Sequence, residues 1–453
     1  MTPDRPLTGN TEGVAWPPVF AQHGHLAALA MTLQRSQWLS AGELAVNQHK
    51  QLAMLARYHL QHSPWFATRL KDAGLTAADL DRPDVLAAMP VMRRADAQGL
   101  AAQDQPPVPQ SHMPLITVQS SGSSGVPVVA RKTQLTRLMW MALTLRYHEW
   151  AEPGPYGRMA TIRPNIGFAP LSPDWGAPVS LFHATGPVRR ISTDVPLEEQ
   201  ARIVAEFAPD TLIAYPSNLQ ALLAMPQGRA ALATVKSFRP MGETVTPAFR
   251  KSVKAATGLE VFDCYSTEEV GYIAIQCPAS TRYHLMSESL IVEILREDGS
   301  PCDPGETGRV VATDLMNFAM PFVRYDTGDY AVAGKPCRCG RGLPTIERIA
   351  GRWRGMIVKP DGTRHWPRTG FHGYAEILDF RQYQMIQHAV DRVELRLATP
   401  NPITEAQHER LIALLRKSVG EGIAFEIVRF ADRLPPGPRG KTDEFISLIG
   451  ERP

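Results

Sequence analysis

The chain has 453 residues, 44% of them apolar, with 48 Lys and Arg against 45 Asp and Glu and a formal charge of +3. That length suits two or three domains around a large core, and the near balance of charge, without a long basic run, gives no ground for nucleic-acid binding. No apolar stretch reaches membrane-spanning length, residues 1–20 lack the basic and apolar regions of a signal peptide, and five cysteines are too few for a disulfide framework; a cytoplasmic protein without a membrane span is expected.

Residues 1–40 carry little pattern. Leu52, Leu55, Ala56 and Leu60 recur at helical spacing and predict a helix over 51–60, stopped by Ser63-Pro64. A proline-rich approach, 106–114, leads into Ser120-Ser121-Gly122-Ser123-Ser124-Gly125-Val126-Pro127. Small residues and hydroxyls there let backbone N–H groups approach a polyphosphate closely. The stretch lacks the Gly-Lys-Ser/Thr ending of the ordinary P-loop, and a flexible linker has the same composition. Residues 136–150 predict a buried helix. Thr211 to Tyr215 predicts a short strand ended by Pro216, with Ser217 and Gln220 as a capping box for the next helix. Residues 259–264 predict another strand, and the alternation predicts an α/β core with mainly parallel strands.

After residue 285 the pattern changes. Residues 289–295 and 308–313 predict two strands joined through Glu297-Asp298-Gly299 and Pro304-Gly305, an antiparallel, barrel-like subdomain. Residues 393–397, a helix over 405–419 and residues 424–428 predict a compact β-α-β unit. The expected architecture is α/β: a large N-terminal domain, 1–350, with mixed and parallel sheets plus the barrel-like part, and a small mobile α+β domain, 351–453.

Five further segments stand out: Gly242-Glu243-Thr244, Asp263-Cys264-Tyr265-Ser266-Thr267-Glu268-Glu269-Val270-Gly271, Arg324-Tyr325-Asp326-Thr327-Gly328-Asp329, Gly351-Arg352, and Pro438-Arg439-Gly440-Lys441. In this order, together with the Gly/Ser loop, they resemble the adenylate-forming superfamily, and its phenylacetate–CoA ligase branch fits best. The resemblance runs from about residue 45 to the C-terminal strand and includes Ser63-Pro64-Trp65-Phe66. It implies an acid–thiol ligase that uses ATP and Mg²⁺ to form an acyl-adenylate, releases pyrophosphate, and transfers the acyl group to CoA or to an amine or hydroxyl acceptor. Residue by residue it implies that Ser120, Ser121, Gly122, Ser123, Ser124 and Gly125 hold the β- and γ-phosphates. Gly242, Glu243 and Thr244 pass along the adenine and the acyl pocket. Tyr265 stacks on the base, Asp329 accepts from the ribose hydroxyls, and Arg352 reaches ribose or phosphate. Glu269 holds Mg²⁺, and Lys441 bridges the substrate carboxylate and the ribose.

The chain departs from the family pattern in three places. Counting back from Val270-Gly271 makes Glu269 the metal ligand, whereas counting from Thr267 makes it Glu268; adjacent side chains in extended backbone face opposite sides, so one of the two meets the ion. The hinge run is Gly351-Arg352-Trp353-Arg354-Gly355, which puts Arg354 where relatives carry an acid. The stretch 358–367 replaces a shorter loop beside the thiol tunnel, which leaves amine or hydroxyl acceptors open beside CoA. A nucleotide-binding scaffold without catalysis is the alternative from another class.

Cys277, His284, Cys337 and Cys339 read Cys-x6-His and Cys-x-Cys. Thiolates and an imidazole in that number suit a closed tetrahedral zinc site; reduced cysteines and a lone histidine are the bland alternative. Cys264 and Cys302 read as small buried residues. Tyr215 and Met241 are the main candidates for the acyl pocket, with Tyr147, His148, Trp175 and Phe182 behind them, each of which suits a core equally. No Ser-His-Asp arrangement at motif spacing appears, which disfavours a hydrolase. A homodimer is compatible with all of this.

Overall fold

The computed structural model describes residues 24–100, 104–120, 127–164, 169–365, 367, 371–435 and 443–449. The expected helix over 51–60 is the C-terminal half of a longer one, Ala41–His62, because Ser40 and Glu43 form a capping box ahead of it. Ser63 ends that helix by donating its N–H to His59 O and starts the next, Pro64–Asp72, by accepting from Phe66 N. The buried helix after the Gly/Ser loop is Gln134–Trp150.

A five-stranded sheet has the order Leu171–Ser172, Val188–Ser192, Met159–Arg163, Thr211–Ala214, Ser237–Pro240. Its last four strands are parallel, with helices Leu197–Phe207, Pro216–Ala224 and Pro247–Thr257 packed on it through Val204, Leu222, Phe249 and Phe238. The parallel order is what strands alternating with helices give. The expected strand over 259–264 does not extend this sheet. It contributes only a single parallel bridge, Val261 to Phe238. Beyond that bridge Asp263 N donates to the Gln276 side chain at 3.0 Å, which turns the chain into a second sheet.

That second sheet has seven strands: Leu290–Leu295, Thr307–Asp314, Tyr325–Ala333, Thr345–Arg352, Tyr283–Leu285, Gly271–Gln276 and Cys264–Thr267, antiparallel throughout. It is the antiparallel part expected after residue 285, but it also recruits the three strands Cys264–Thr267, Gly271–Gln276 and Tyr283–Leu285 that come before. Its strand Thr345–Arg352 carries Gly351 and Arg352 at its end.

Beyond it, Ala424–Phe430, Arg392–Ala398, Gln382–Ala389 and Phe445–Ser447 form a four-stranded sheet. Helix Glu405–Val419 buries Leu411 and Leu415 against Leu395, Met385 and Tyr374 in a core of their own. The helix begins where Thr404 and Gln407 make a capping box. Arg381 ties this α+β region to the large one through Glu198 at 2.9 Å, and Arg433 donates to Thr193 O at 3.2 Å. Among the described residues, no helix is long and apolar enough to cross a membrane.

Candidate active site

Two carboxylates, Glu269 and Asp329, organise the site, and two separate parts of the antiparallel sheet position them. Glu269 sits in the turn between strands Cys264–Thr267 and Gly271–Gln276, and Gly271 at φ 83° lets the chain re-enter the sheet. Glu268 points to solvent and Glu269 is buried. Arg94 Nη1 donates to Glu269 Oε1 at 3.1 Å, and its Nη2 donates to Ser120 Oγ at 2.8 Å. Ser120 closes the foot of the Gly/Ser loop: its N–H donates to Val128 O at 3.0 Å and its Oγ accepts from Val128 N at 2.8 Å. Lys132 Nζ donates to the Glu269 carbonyl and pairs with Asp314 at 3.8 Å. Burial pushes the Lys132 ammonium down from its ordinary range and the Asp314 carboxyl up. The remaining loop residues, Ser121, Gly122, Ser123, Ser124 and Gly125, lie outside the described residues.

Asp329 is also buried. Tyr265 donates its hydroxyl to Asp329 Oδ2 at 2.7 Å, and Arg352 Nε donates to Oδ1 at 3.2 Å. Burial raises the Asp329 carboxyl, and the Arg352 guanidinium opposes that rise. The segment 325–329 lies within the strand Tyr325–Ala333. Local bonds give it a turn-like kink: Gly328 N donates to Asp326 Oδ1 at 2.9 Å with Gly328 at φ 77°, and the register against Arg309 and Val311 shifts there. The segments that carry them are tied together, because Tyr265 of the Glu269 segment reaches Asp329 while Tyr325 of the Asp329 segment reaches Glu269 at 3.5 Å.

Gly242 and Thr244 are exposed just after the parallel strand Ser237–Pro240, and Gly242 has φ 72°. Glu243 accepts from Ser217 N at 2.9 Å and from Ser217 Oγ at 2.8 Å. It therefore caps helix Pro216–Ala224, correcting the capping box expected from Ser217 and Gln220. The helix starts at Pro216, whose missing N–H is no loss at that position. Tyr215 and Met241 stand at the carboxyl ends of neighbouring parallel strands, where ligands of open α/β sheets bind; Met241 N donates to Ala214 O at 3.0 Å. Tyr147 packs against Phe262 and Tyr272. His148 accepts at Nδ1 from Arg239, at 2.6 Å. Arg354 lies in the short turn Trp353–Gly355, and Lys441 lies outside the described residues. Arg94 and Lys132 are site residues that sequence reading missed. The one available signal was the lack of any cation between Ser120 and Pro127.

The four metal-ligand candidates converge, with their ligand atoms all within 4.8 Å of one another. Cys277 Sγ and Cys337 Sγ are 3.7 Å apart, and Cys339 Sγ is 3.3 Å from His284 Nε2. The edge of a tetrahedron with Zn–S bonds of ~2.3 Å is ~3.8 Å, so the donor set fits zinc. The Leu343 carbonyl can only accept, so His284 Nδ1 carries the proton of their 3.1 Å bond and leaves the Nε2 lone pair facing the sulfurs. Burial lowers the His284 pKa, which favours that neutral ring.

A large mixed α/β domain, an antiparallel sheet carrying buried carboxylates and a smaller C-terminal α+β region give the chain the architecture of the adenylate-forming fold. No family model matches it. It is similar to the phenylacetate-coenzyme A ligase of Escherichia coli, at 26% identity over 334 residues covering 70% of this chain and 73% of that one. It is also similar to the phenylacetate-coenzyme A ligase of Thermus thermophilus, at 25% identity over 440 residues covering 88% and 94%. It shares its fold with 2-hydroxyisobutyryl-CoA ligase crystallised in the postadenylation state with 2-HIB-AMP, with TM-score 0.69, 16% identity and 91% of each chain covered.

Proposed function

We propose that the chain is an ATP-dependent acid–thiol ligase of the phenylacetate–CoA ligase branch. It activates a carboxylic acid as an acyl-adenylate, with release of pyrophosphate, and passes the acyl group to CoA. The observation that carries this reading is the pair of buried carboxylates, Glu269 and Asp329, one tied through Arg94 to the foot of the Gly/Ser loop and the other to Tyr265 and Arg352. Similarity to two phenylacetate-coenzyme A ligases supports the branch.

In the first half-reaction a carboxylate oxygen attacks the α-phosphorus, and the bond to the pyrophosphate oxygen breaks. Charge grows on the phosphoryl oxygens and the leaving group, so positioning and electrostatics govern the rate. Ser120 to Gly125 cradle the β- and γ-phosphates. Asp329 takes the ribose hydroxyls, because each carboxylate oxygen keeps an acceptor site after its present donor. Tyr265 lies along the base, and Arg352 reaches ribose or phosphate. Gly242 to Thr244 line the path between adenine and the acyl pocket, with Tyr215 and Met241 at its wall. Glu269 supplies the hard oxygen that Mg²⁺ prefers. When bound, the ion neutralises charge on the phosphates. Lys441 brings an ammonium to the carboxylate and ribose. Residues 351–453 then swivel about Arg354, withdrawing Lys441, and a thiolate attacks the acyl carbonyl as AMP leaves. Cys277, His284, Cys337 and Cys339 hold a structural zinc that fixes the sheet around Asp329.

Transfer to an amine or hydroxyl is the second reading. It is favoured by the segment after the hinge, which folds as a hairpin pairing Ile357 with His365 and Val358 with Arg364. Lys441→Ala tests the scheme. Pyrophosphate exchange should be lost while transfer from preformed acyl-adenylate persists. Equal loss of both steps would refute the two-position domain. ATP binding without exchange in the wild type, across a panel of aryl, fatty and amino acids, would mark a scaffold. Product with hydroxylamine but none with CoA would select the second reading.

A further inference from the structure

A triphosphate is strongly anionic, and nucleotide loops of the ordinary kind carry a lysine to meet it. From Ser120 to Pro127 this chain has no Lys or Arg, so the loop offers only N–H and hydroxyl dipoles. The compensating charge must come from elsewhere in the fold. Lys132 is held below the site by the Glu269 carbonyl and Asp314, with 12% of its side chain exposed. Arg131 donates to Gln105, and Arg352 to Asp329. Arg94 differs from these: it touches the loop's first hydroxyl and the Glu269 carboxylate at once, and 32% of its side chain is exposed.

On the reading of this site as an ATP site, we propose that Arg94 is a phosphate-binding residue that exchanges partners. Without nucleotide its guanidinium neutralises the buried Glu269 carboxylate and holds Ser120 in place. With nucleotide the guanidinium turns from Glu269 to the β- and γ-phosphates, which frees a carboxylate oxygen for Mg²⁺. The planar fork suits the exchange, since its N–H groups match phosphate and carboxylate alike. The residue thereby stands in, from a distant helix, for the cation that the loop lacks.

Binding of Mg²⁺·ATP and of AMP to the full-length wild type, Arg94→Gln and Arg94→Lys, measured by titration calorimetry without acid substrate, tests this. AMP lacks the phosphates that Arg94 is to hold, so its binding also reports that the variant is folded. Arg94→Gln should weaken ATP by about 10–100-fold and leave AMP within about twofold, with Arg94→Lys in between. Equal weakening of both nucleotides would reduce Arg94 to a support for Glu269 and Ser120 and overturn the proposal, as would unchanged ATP affinity. A wild type that binds neither nucleotide would overturn the ATP-site reading itself, and this inference with it.

Discussion

His59 makes the fold sensitive to acid in a way that can be calculated. Its ring is fully buried near the end of helix Ala41–His62, edge-on to Tyr58 and tilted against Phe66. The Asn317 carbonyl accepts from Nε2 at 3.2 Å, and among the described residues Nδ1 has no hydrogen-bond partner. A second proton would therefore sit on an unpaired nitrogen in an apolar core. Burial, with a smaller contribution from His62, holds the pKa down to about 3 from 6.5. The sign follows from proton counting. Below pH 6.5 the unfolded chain takes up a proton that the folded chain refuses, so the contribution is complete above 6.5 and is lost as pH falls toward 3. By pH 5 the loss amounts to about 2 kcal/mol. The effect reaches the site, because Asn317 Nδ2 donates to Arg131 O at 3.1 Å, next to Lys132 beneath Glu269. Urea unfolding of wild type and His59→Gln at pH 8, 6.5 and 5 is the assay. Glutamine keeps an N–H donor and cannot titrate, so the wild type should lose about 2 kcal/mol more than the variant between pH 8 and 5. Parallel stability curves would refute the argument, whatever the absolute stability of the variant.

Purified protein should contain one zinc per chain by elemental analysis. Cys337→Ser or a strong chelator should remove it and lower the melting temperature by at least ~5 °C, the equivalent of roughly 2 kcal/mol for a domain of this size; a metal-free protein indifferent to chelator would leave the four residues as reduced thiols and a histidine. Asp329→Ala should weaken ATP and AMP alike, by about 10–100-fold for the charge-assisted bonds lost. That pattern is opposite to the one expected of Arg94→Gln, and unchanged affinity for both nucleotides would remove Asp329 from the ribose site.

What could be read from the sequence divides along the range of the interactions. The helix Glu405–Val419 appears with its sequence-expected limits, because its start lies in Thr404 and Gln407 and its face in Leu411 and Leu415, all within a few turns. The strand expected over 259–264 has an equally apolar string, yet its partner choice is settled by the Gln276 side chain and by Phe238, residues that local pattern cannot weigh. Glu243 reads as a motif residue, and its role as a helix cap emerges only across 26 positions. The same divide runs through the site. Tyr265, Asp329 and Arg352 were nameable from ordered motifs, and the fold brings them together. Arg94 belongs to no motif in the sequence, and it acquires meaning only by meeting Ser120, 26 residues away, and Glu269, 175 away. The loop itself lacks the lysine of the ordinary P-loop ending, and Ser120 to Pro127 hold no Lys or Arg. On the proposed ATP-site reading, that deficit has to be met within a few ångströms of the phosphates, because in water the attraction fades quickly with distance. Which cation meets it is decided by the packing of the helix Arg94–Gly99 beside the antiparallel sheet, which no local pattern encodes.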